Sequence, residues 1–455
     1  MTDLTELAEF LTSFRFEALP LDVIAAATES FANVAGVAIG GLDEEATRRT
    51  LRVTKSLGSA PQSIILGTGA RRSMDHAALV QGVAAHVLDF DDTDLATIYH
   101  PSCVLHGAIW SMADYLDVDG EAAARAWVVG LEAGLRVASA LGMAHYDRGW
   151  HVTGTAGVVA AAAGCATLLG SGTREFAQCL NLAATMSAGH RVHFGYDAKS
   201  GHAGFAAQQG LTAALLTREG FTSAPTGITG SRGLLGVIGA DGPHEALTDG
   251  LGSAWRILDN RIKPYASGVV THPSIDLARL VRERCGVDAG GLASVELFVH
   301  PLVGELTGIA EPASGLQGKF SVRHCFAAGY LNDRAGAREF TDASVRDPNV
   351  TAVRDLVVVN VDPNMPHMTA RASVQLASGS REEFSVDAAR GSNGRPMLPD
   401  EVRAKFIDVT SGRLSEPAAD RWFDRLLNVA EVRSMAEFAA SLDQDTSYMT
   451  FLKPR

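Results

Sequence analysis

Apolar residues recur at three- and four-residue spacing through the first half of the chain, a pattern typical of packed helices. The helices predicted on this basis span residues 20–38, 73–88, 101–116, 120–141, 152–169, 173–187 and 201–219. Many are rich in alanine, which favours helix formation and lets neighbouring helices approach closely. The first half of the chain is therefore predicted to form one large helical domain.

The pattern changes near residue 265 and changes back near residue 395. Between these points a predicted helix at 273–284 precedes strand-like runs at 294–300, 355–361, 369–376 and 382–386. Helical spacing returns at 399–409, 418–429 and 435–442. We predict a mainly α protein: residues 1–265 form a helical domain, 266–394 a smaller α+β lid domain, and 395–455 are C-terminal helices that return to the helical domain.

Composition and charge narrow the class of protein. The chain has 455 residues, of which 46% are hydrophobic and 20% charged, and a formal net charge of −13. That charge argues against a nucleic-acid partner. We see no apolar run of membrane-spanning length and no basic leader, so we expect a cytoplasmic protein with no membrane partner. Five scattered cysteines without Cys-x-x-Cys spacing favour neither a disulfide framework nor structural zinc.

The segment from Gln81 to Thr93, followed by His100-Pro101-Ser102, carries the densest candidate chemistry. It combines three carboxylates, hydroxyls and two histidines with an apolar helix. Titratable groups against apolar neighbours acquire shifted pKa values, which proton-transfer chemistry requires. Nine of the fourteen histidines fall between His76 and His202. The sequence therefore predicts an enzyme.

The carboxylates, glycines and histidines of this region also allow other interpretations. Asp89-x-Asp91-x-Thr93 also resembles the Mg²⁺-dependent phosphoaspartate motif of haloacid-dehalogenase-like phosphatases, but that motif follows a buried strand, and the apolar spacing upstream is helical. A solvated acidic helix end is the simpler structural alternative. Gly67-Thr68-Gly69 lacks the third glycine and the lysine of nucleotide loops. The histidine pairs 100/106 and 190/193 lack acidic or thiol partners, so neither a metal nor another cofactor is expected.

Taken together, the motifs resemble those of the MmgE/PrpD family, in family order and across most of the chain. The matching segments are Ile65 to Gly69 with Ala78 to Gly82 and Leu88 to Thr93, His100 to Ser102, Gly149 to Thr155, Lys199 to Ala203, and Lys263-Pro264-Tyr265 with Thr271 to Asp276 and Lys319-Phe320-Ser321. The resemblance implies a large helical domain with an α+β lid, a homodimer, and a cofactor-free site for small di- and tricarboxylates between the domains.

The resemblance implies by position that Asp89, Thr93, His100, His151, Lys199 and His272 form the site, with Tyr146 close by. Of these, Lys199, Tyr146, His100, His151 and Asp89 are expected to be catalytic, and Thr93 and His272 to bind a small anionic carboxylate. Arg191, His202 and His324 are further candidates for carboxylate binding, because a pocket for an anion must be locally positive in a protein of net charge −13. From the chain itself, His100 and His151 each precede a helix, where free backbone amides favour an anion. Lys199 is placed in a loop that leads into the next helix.

Members of the family act as 2-methylcitrate dehydratases, cis-aconitate decarboxylases and iminodisuccinate epimerases. Here Ile98-Tyr99-His100 replaces the Trp-Gly-His typical of the dehydratases, and Arg323-His324 aligns where the decarboxylases place a tyrosine. We therefore predict an epimerase, with Lys199 and Tyr146 on opposite faces of the substrate carbon. A dehydratase-like or decarboxylase-like lyase is the alternative, and outside enzymes a dicarboxylate-binding protein.

Overall fold

A computed structural model describes residues 3–239, 242–286 and 291–446 of the chain. The first part is helical, as the apolar spacing predicts. Its helices are α1 (Asp3–Ser13), α2 (Leu21–Gly41), α3 (Glu45–Leu57), α4 (Met74–Val87), α5 (Pro101–Leu116), α6 (Gly120–Asp147), α7 (Val152–Leu168), α8 (Thr173–Ala184), α9 (Asp197–Arg218) and α10 (Leu234–Val237). One large apolar core joins most of them.

Helices α4 and α9 cross closely because small residues meet at the crossing. A Cβ on Gly82 would lie 2.8 Å from the Cα of Gly204, and one on Gly204 would lie 2.5 Å from the carbonyl oxygen of Leu79. Asp89 lies two residues after the end of α4, and Lys199 lies in the first turn of α9. The contact between the two helices therefore brings Asp89 and Lys199 together.

Short antiparallel ladders complete the helical part. Strand β1 (Ser63–Ile65) pairs with β2 (Ala70–Arg72), and β3 (Asp92–Asp94) pairs with β4 (Asn260–Ile262). The backbone amide of Lys263, directly after β4, donates a hydrogen bond to the carbonyl of Asp91 at 3.1 Å. This pairing carries Lys263 to the carboxylate-rich segment despite a separation of more than 170 residues.

The α+β unit contains a mixed four-stranded sheet in the order β6-β5-β7-β8, with β5 and β6 parallel and the other pairs antiparallel. Its elements are α11 (His272–Cys285), β5 (Leu292–Val299), α12 (Pro301–Thr307), α13 (Gly315–Gly318), α14 (Val322–Asn332), α15 (Asp342–Arg346), α16 (Pro348–Asp355), β6 (Val357–Val361), β7 (Ala370–Leu376) and β8 (Arg381–Val386). The sheet and the helices around it share a separate apolar core. The predicted strands thus agree with the observed ones to within about two residues.

The C-terminal helices are α17 (Pro399–Thr410), α18 (Glu416–Leu427) and α19 (Met435–Asp445). Helices α17 and α18 pack on α2, and α19 packs on α5. Val402, Phe406 and Trp422 belong to the same apolar core as α2. The C-terminal helices therefore pack against helices of the N-terminal helical part.

Two details correct the predictions from sequence. Helix α9 begins at Asp197, so Lys199 lies in its first turn and not in a loop. Helix α6 runs to Asp147 through a kink at Gly142, whose φ of 71° lies in the left-handed region, and Tyr146 lies beyond that kink. Glycine suits this position because it lacks the Cβ that makes positive φ unfavourable.

A third correction concerns apolar length. Among the described residues, α2 and α6 are long and apolar enough to cross a membrane, although the sequence suggested no such run. In their most apolar windows, 72% of α2 and 83% of α6 is buried inside the protein. Core helices of a large helical domain meet the same criteria of length and composition, so this finding alone is weak evidence for a membrane span.

Candidate active site

Asp89 lies at the centre of a buried ionic cluster. It follows α4 with a φ of +51°, a left-handed conformation that aspartate tolerates better than most residues. Its carboxylate pairs with Lys199 Nζ at 3.1 Å and accepts a short hydrogen bond from Lys263 Nζ. Burial would raise the pKa of Asp89, but the two ammonium groups outweigh it and hold that pKa well below the usual value. Asp89 is therefore ionised.

Two more buried lysines hold the backbone around Asp89. Lys319 Nζ donates to the carbonyls of Leu88 at 2.8 Å and Ala266 at 3.0 Å. Lys405 Nζ donates to the carbonyls of Phe90 at 2.5 Å and Lys263 at 2.8 Å. Four lysines from separate parts of the chain thus surround one short segment. Burial lowers the pKa of Lys319 to about 8 and the pKa of Lys405 well below its usual value of 10.5, while nearby carboxylates oppose both shifts.

His86 links the carboxylates to Lys199. Its Nδ1 lies 2.8 Å from Asp91 Oδ2, and its Nε2 lies 3.1 Å from Lys199 Nζ. A carboxylate accepts from Nδ1–H, which leaves Nε2 free to accept from the ammonium group. Burial lowers the pKa of His86, and the nearby Lys199 lowers it further. His86 therefore serves as a neutral acceptor that orients Lys199.

His100 lies at the start of α5 and is held by the turn before it. Its Nδ1 lies 2.8 Å from the carbonyl of Asp92 and 2.9 Å from Thr93 Oγ1. Burial lowers the pKa of His100 to about 3. The ring is therefore neutral, and its engaged Nδ1 leaves Nε2 available to a ligand. Thr93 acts here as a support for His100.

His151 lies at the start of α7 and is fully buried. Its Nδ1 lies 2.9 Å from Nδ1 of His202, and its Nε2 has no hydrogen-bond partner among the described residues. The ring centroids of His86, His100 and His151 lie 4.9 to 6.1 Å apart. Buried polar atoms are normally hydrogen-bonded. The unpartnered nitrogen in this group is thus a site for a ligand atom.

Three long helices direct their N-termini to this cluster. His100 precedes α5, His151 precedes α7, and Lys199 lies in the first turn of α9. Helix N-termini carry partial positive charge and free backbone amides, which stabilise anions. The dipoles and the lysines therefore favour the same kind of ligand, a small polyanion.

A narrow cavity of about 20 Å³ adjoins the cluster. It is lined by Asp89, Ile98, His100, Tyr146, Phe194, Lys199, Gly268, Val269, Val270, Leu306, Thr307 and Phe320. The buried hydroxyl of Tyr146 has no hydrogen-bond partner among the described residues. Since Leu306 and Thr307 belong to α12, both the helical part and the α+β unit contribute to the walls.

A wider cavity of about 580 Å³ lies outside the first one and shares Phe194 and Leu306 with it. Arg191 lines this outer cavity, stacks 3.9 Å above the ring of Tyr146 and donates to the Tyr146 carbonyl at 2.7 Å. It also pairs at 2.5 Å with Glu305 of α12. The Arg191–Glu305 pair therefore joins the two parts of the fold where a ligand would enter.

The site residues predicted from sequence fall into four groups. Asp89, His100, Tyr146 and Lys199 line the inner cavity, while Thr93, His151 and His202 lie behind it and Arg191 lies in the outer cavity. His272 packs edge-on against Tyr265, with ring centroids 5.3 Å apart. His324 bonds the carbonyl of Glu339 at 2.9 Å, and neither His272 nor His324 is among the residues that line the cavities described.

Sequence reasoning missed five members of the site: His86, Asp91, Lys263, Lys319 and Lys405. Asp91, Lys263 and Lys319 lie within the motifs quoted for the family resemblance, and His86 lies in the Gln81 to Thr93 segment, so each had a signal. Lys405 had none, because its role depends on where α17 packs. The structure also brings together three residues that could bind a metal. His86, His100 and His151 each offer one ligand atom, and these three atoms lie within 4.8 Å of one another, a grouping that spacing along the chain could not reveal.

The two-part fold places a buried cluster of lysines, histidines and carboxylates between helix N-termini. Residues 5–246 match the MmgE/PrpD N-terminal domain, and residues 265–428 match the MmgE/PrpD C-terminal domain. The chain belongs to the MmgE/PrpD family. This confirms both the predicted family and the predicted fold class, a large helical domain with a smaller α+β domain.

Several curated relatives are similar over most of their length. The cis-aconitate decarboxylase-like protein oryM of Aspergillus oryzae is 24% identical, covering 96% of each chain. A cis-aconitate decarboxylase of Aspergillus terreus is 23% identical over 90% of this chain and 83% of its own. The cis-aconitate decarboxylase of Homo sapiens is 23% identical over 75% of this chain and 73% of its own.

Proposed function

We propose that the protein is a lyase that decarboxylates a small, unsaturated polycarboxylate of the cis-aconitate type. The relatives named cis-aconitate decarboxylase support this alternative better than the epimerase that the sequence predicted. The structural observation that carries the proposal is the position of Lys199. Its side chain lines the inner cavity and contacts Asp89 and His86, so one cationic group dominates the centre of the site.

The alternative epimerase needs a base on one face of a carbon and an acid on the other. Tyr146 was the predicted second base. Burial raises the pKa of Tyr146 above its usual value, and the Arg191 guanidinium opposes this shift only in part. A tyrosine that keeps its proton is suited to donate a hydrogen bond to a carboxylate. The site therefore favours one proton-transfer group, Lys199, over a pair.

The proposed reaction begins when the carboxylates bind to Lys199, His100 and the helix N-termini. The bond between the substrate carbon and one carboxyl group then breaks, and CO₂ leaves. The electron pair stays on carbon, delocalised into the remaining unsaturated carboxylate, where preorganised cations stabilise it. Lys199 donates a proton to that carbon and is reprotonated from water through the cavity.

The reaction type can be measured by proton NMR in D₂O with cis-aconitate and related acids. Decarboxylation predicts a product that has lost one carboxyl group and carries one solvent deuterium per turnover, with equimolar CO₂. Loss of water without CO₂ would instead identify a dehydratase. Deuterium exchange next to a carboxylate with no net product would instead identify an epimerase. Either of these two results, water loss or exchange alone, would reject the decarboxylase.

The rate should depend on pH through Lys199. Burial lowers the pKa of Lys199 from its usual 10.5, and Lys263 adds to this, whereas Asp89 and Asp91 oppose it. A general acid must be protonated, so kcat should fall as the pH rises through this lowered pKa, below pH 10.5. Any residual activity of Lys199→Arg should lack this alkaline loss because guanidinium stays charged. An identical loss in both enzymes would assign the titration elsewhere.

The Arg191–Glu305 pair should control substrate entry. The Arg191 side chain is 9% exposed and Glu305 is 56% exposed, so an incoming carboxylate can replace the more exposed Glu305 as the partner of Arg191. Glu305→Gln should lower KM by roughly two- to five-fold, the scale of one exposed ion pair, with kcat unchanged. Glu416→Gln, the same charge change at an exposed position of α18, is the control. Equal effects of both variants would indicate only long-range steering.

A further inference from the structure

We propose that His86, His100 and His151 form a binding site for one divalent transition-metal cation such as Zn²⁺, and that this cation excludes the carboxylate substrate. One ligand atom from each histidine lies within 4.8 Å of the other two, and all three side chains are buried. Three imidazoles with an open fourth position are a common ligand set for zinc. Nitrogen ligands also disfavour Mg²⁺ and Ca²⁺, which prefer oxygen.

Each imidazole is held in place by a partner on its other nitrogen. Asp91 Oδ2 lies 2.8 Å from His86 Nδ1, the Asp92 carbonyl lies 2.8 Å from His100 Nδ1, and His202 Nδ1 lies 2.9 Å from His151 Nδ1. Metal-binding histidines almost always have such a partner, which fixes the ring and the tautomer. The second layer of a metal site is therefore already present.

The ring nitrogens that would bind the metal differ in their present contacts. His151 Nε2 is buried without a partner among the described residues, which leaves its lone pair or its N–H unsatisfied. His100 lines the inner cavity, from which a water molecule could complete a tetrahedral site. A cation would satisfy the nitrogen of His151 that the protein itself leaves unpaired.

Lys199 makes metal and substrate binding mutually exclusive. Its Nζ lies 3.1 Å from His86 Nε2, where an ammonium group would repel a divalent cation. A bound cation must therefore displace Lys199 into the cavity beside Phe194 and Phe320, whose ring centroids lie 5.4 and 5.5 Å from Nζ. The displaced lysine can no longer act at the carbon, so the cation is an inhibitor.

The test is calorimetric titration with Zn²⁺ alone, carried out on the full chain and on its substituted variants. All proteins carry His367→Gln, because His300 and His367 form a second histidine pair with ring centroids 3.8 Å apart that could bind zinc adventitiously. We expect one Zn²⁺ per chain, and an affinity on the order of 10- to 100-fold weaker in His151→Gln. Lys199→Met should bind Zn²⁺ more tightly, because the competing ammonium group is gone.

Co²⁺ provides a second readout that does not depend on activity. Tetrahedral Co²⁺ should give visible absorption bands that disappear in His151→Gln and strengthen in Lys199→Met. Far-ultraviolet circular dichroism identifies any variant that fails to fold, and Lys199→Met then remains as the independent comparison. Absence of binding, equal affinity in His151→Gln, or weaker binding in Lys199→Met would each overturn the proposal. Because no substrate is used, failure here leaves the proposed decarboxylation unaffected.

Discussion

Replacement of Lys199 by methionine is expected to lower kcat by about two to four orders of magnitude, the scale of a general acid. Methionine keeps the length and much of the apolar stem but removes the ammonium group that contacts Asp89 and His86. The site would lose both its proton donor and the cation closest to the developing charge. Steady-state CO₂ release, with kcat and KM determined separately, measures the effect.

Tyr146→Phe is the matched comparison for Lys199→Met. It removes only the hydroxyl in the inner cavity and leaves the ring beneath Arg191. A hydrogen bond to a charged group is worth about 1.5–3 kcal/mol, so we expect a loss of roughly 10- to 150-fold, expressed partly in KM. If the two substitutions abolished kcat equally, with solvent exchange surviving in only one of them, the two-base epimerase would be the better description.

Much of the fold could be predicted because it depends on local patterns. The apolar spacing located the strands of the sheet, and the return of helical spacing after residue 395 located α17, α18 and α19. Boundaries were less predictable where polar residues begin a helix, since Asp197 and Lys199 give the first turn of α9 the composition of a loop. Side-chain pattern alone does not mark that helix start.

The candidate site was predictable only as far as its parts lie in recognisable motifs. Asp89, His100 and Lys199 were identified in that way. Lys263 reaches Asp89 through the pairing of β3 with β4, and Lys405 reaches Phe90 through the packing of α17. Such contacts join residues that are distant in the chain. No rule of spacing along the chain predicts such contacts. The group of three imidazoles could not be predicted from the sequence for the same reason.

Asp89→Asn should produce the largest loss of stability. Asp89 is the carboxylate that pairs with both Lys199 and Lys263, and all three side chains are buried. Removing one partner of a buried ion pair costs about 3–5 kcal/mol because the other charge is left uncompensated. Asparagine tolerates the left-handed backbone of Asp89 as well as aspartate does, so no backbone strain is added. Urea unfolding followed by circular dichroism measures the change.

The pH dependence of this loss separates charge from packing. The pKa of Asp89 is held well below its usual value of 3.8 in the folded protein, mainly by Lys199 and Lys263 against the cost of burial. A lowered folded pKa means that the stabilisation is complete above pH 4 and is lost as the pH falls through the folded value. Wild type and Asp89→Asn should therefore differ fully at pH 7 and converge only in strong acid.

A surface ion pair supplies the control. Glu296 pairs with Arg381 at 2.6 Å, with side chains 46% and 57% exposed, so Glu296→Gln should change the free energy of unfolding by less than about 1 kcal/mol. If Asp89→Asn were no more destabilising than Glu296→Gln, the buried lysines must lose their protons without cost. The cluster would then hold little positive charge at neutral pH, and Lys199 could not serve as the acid of the proposed reaction.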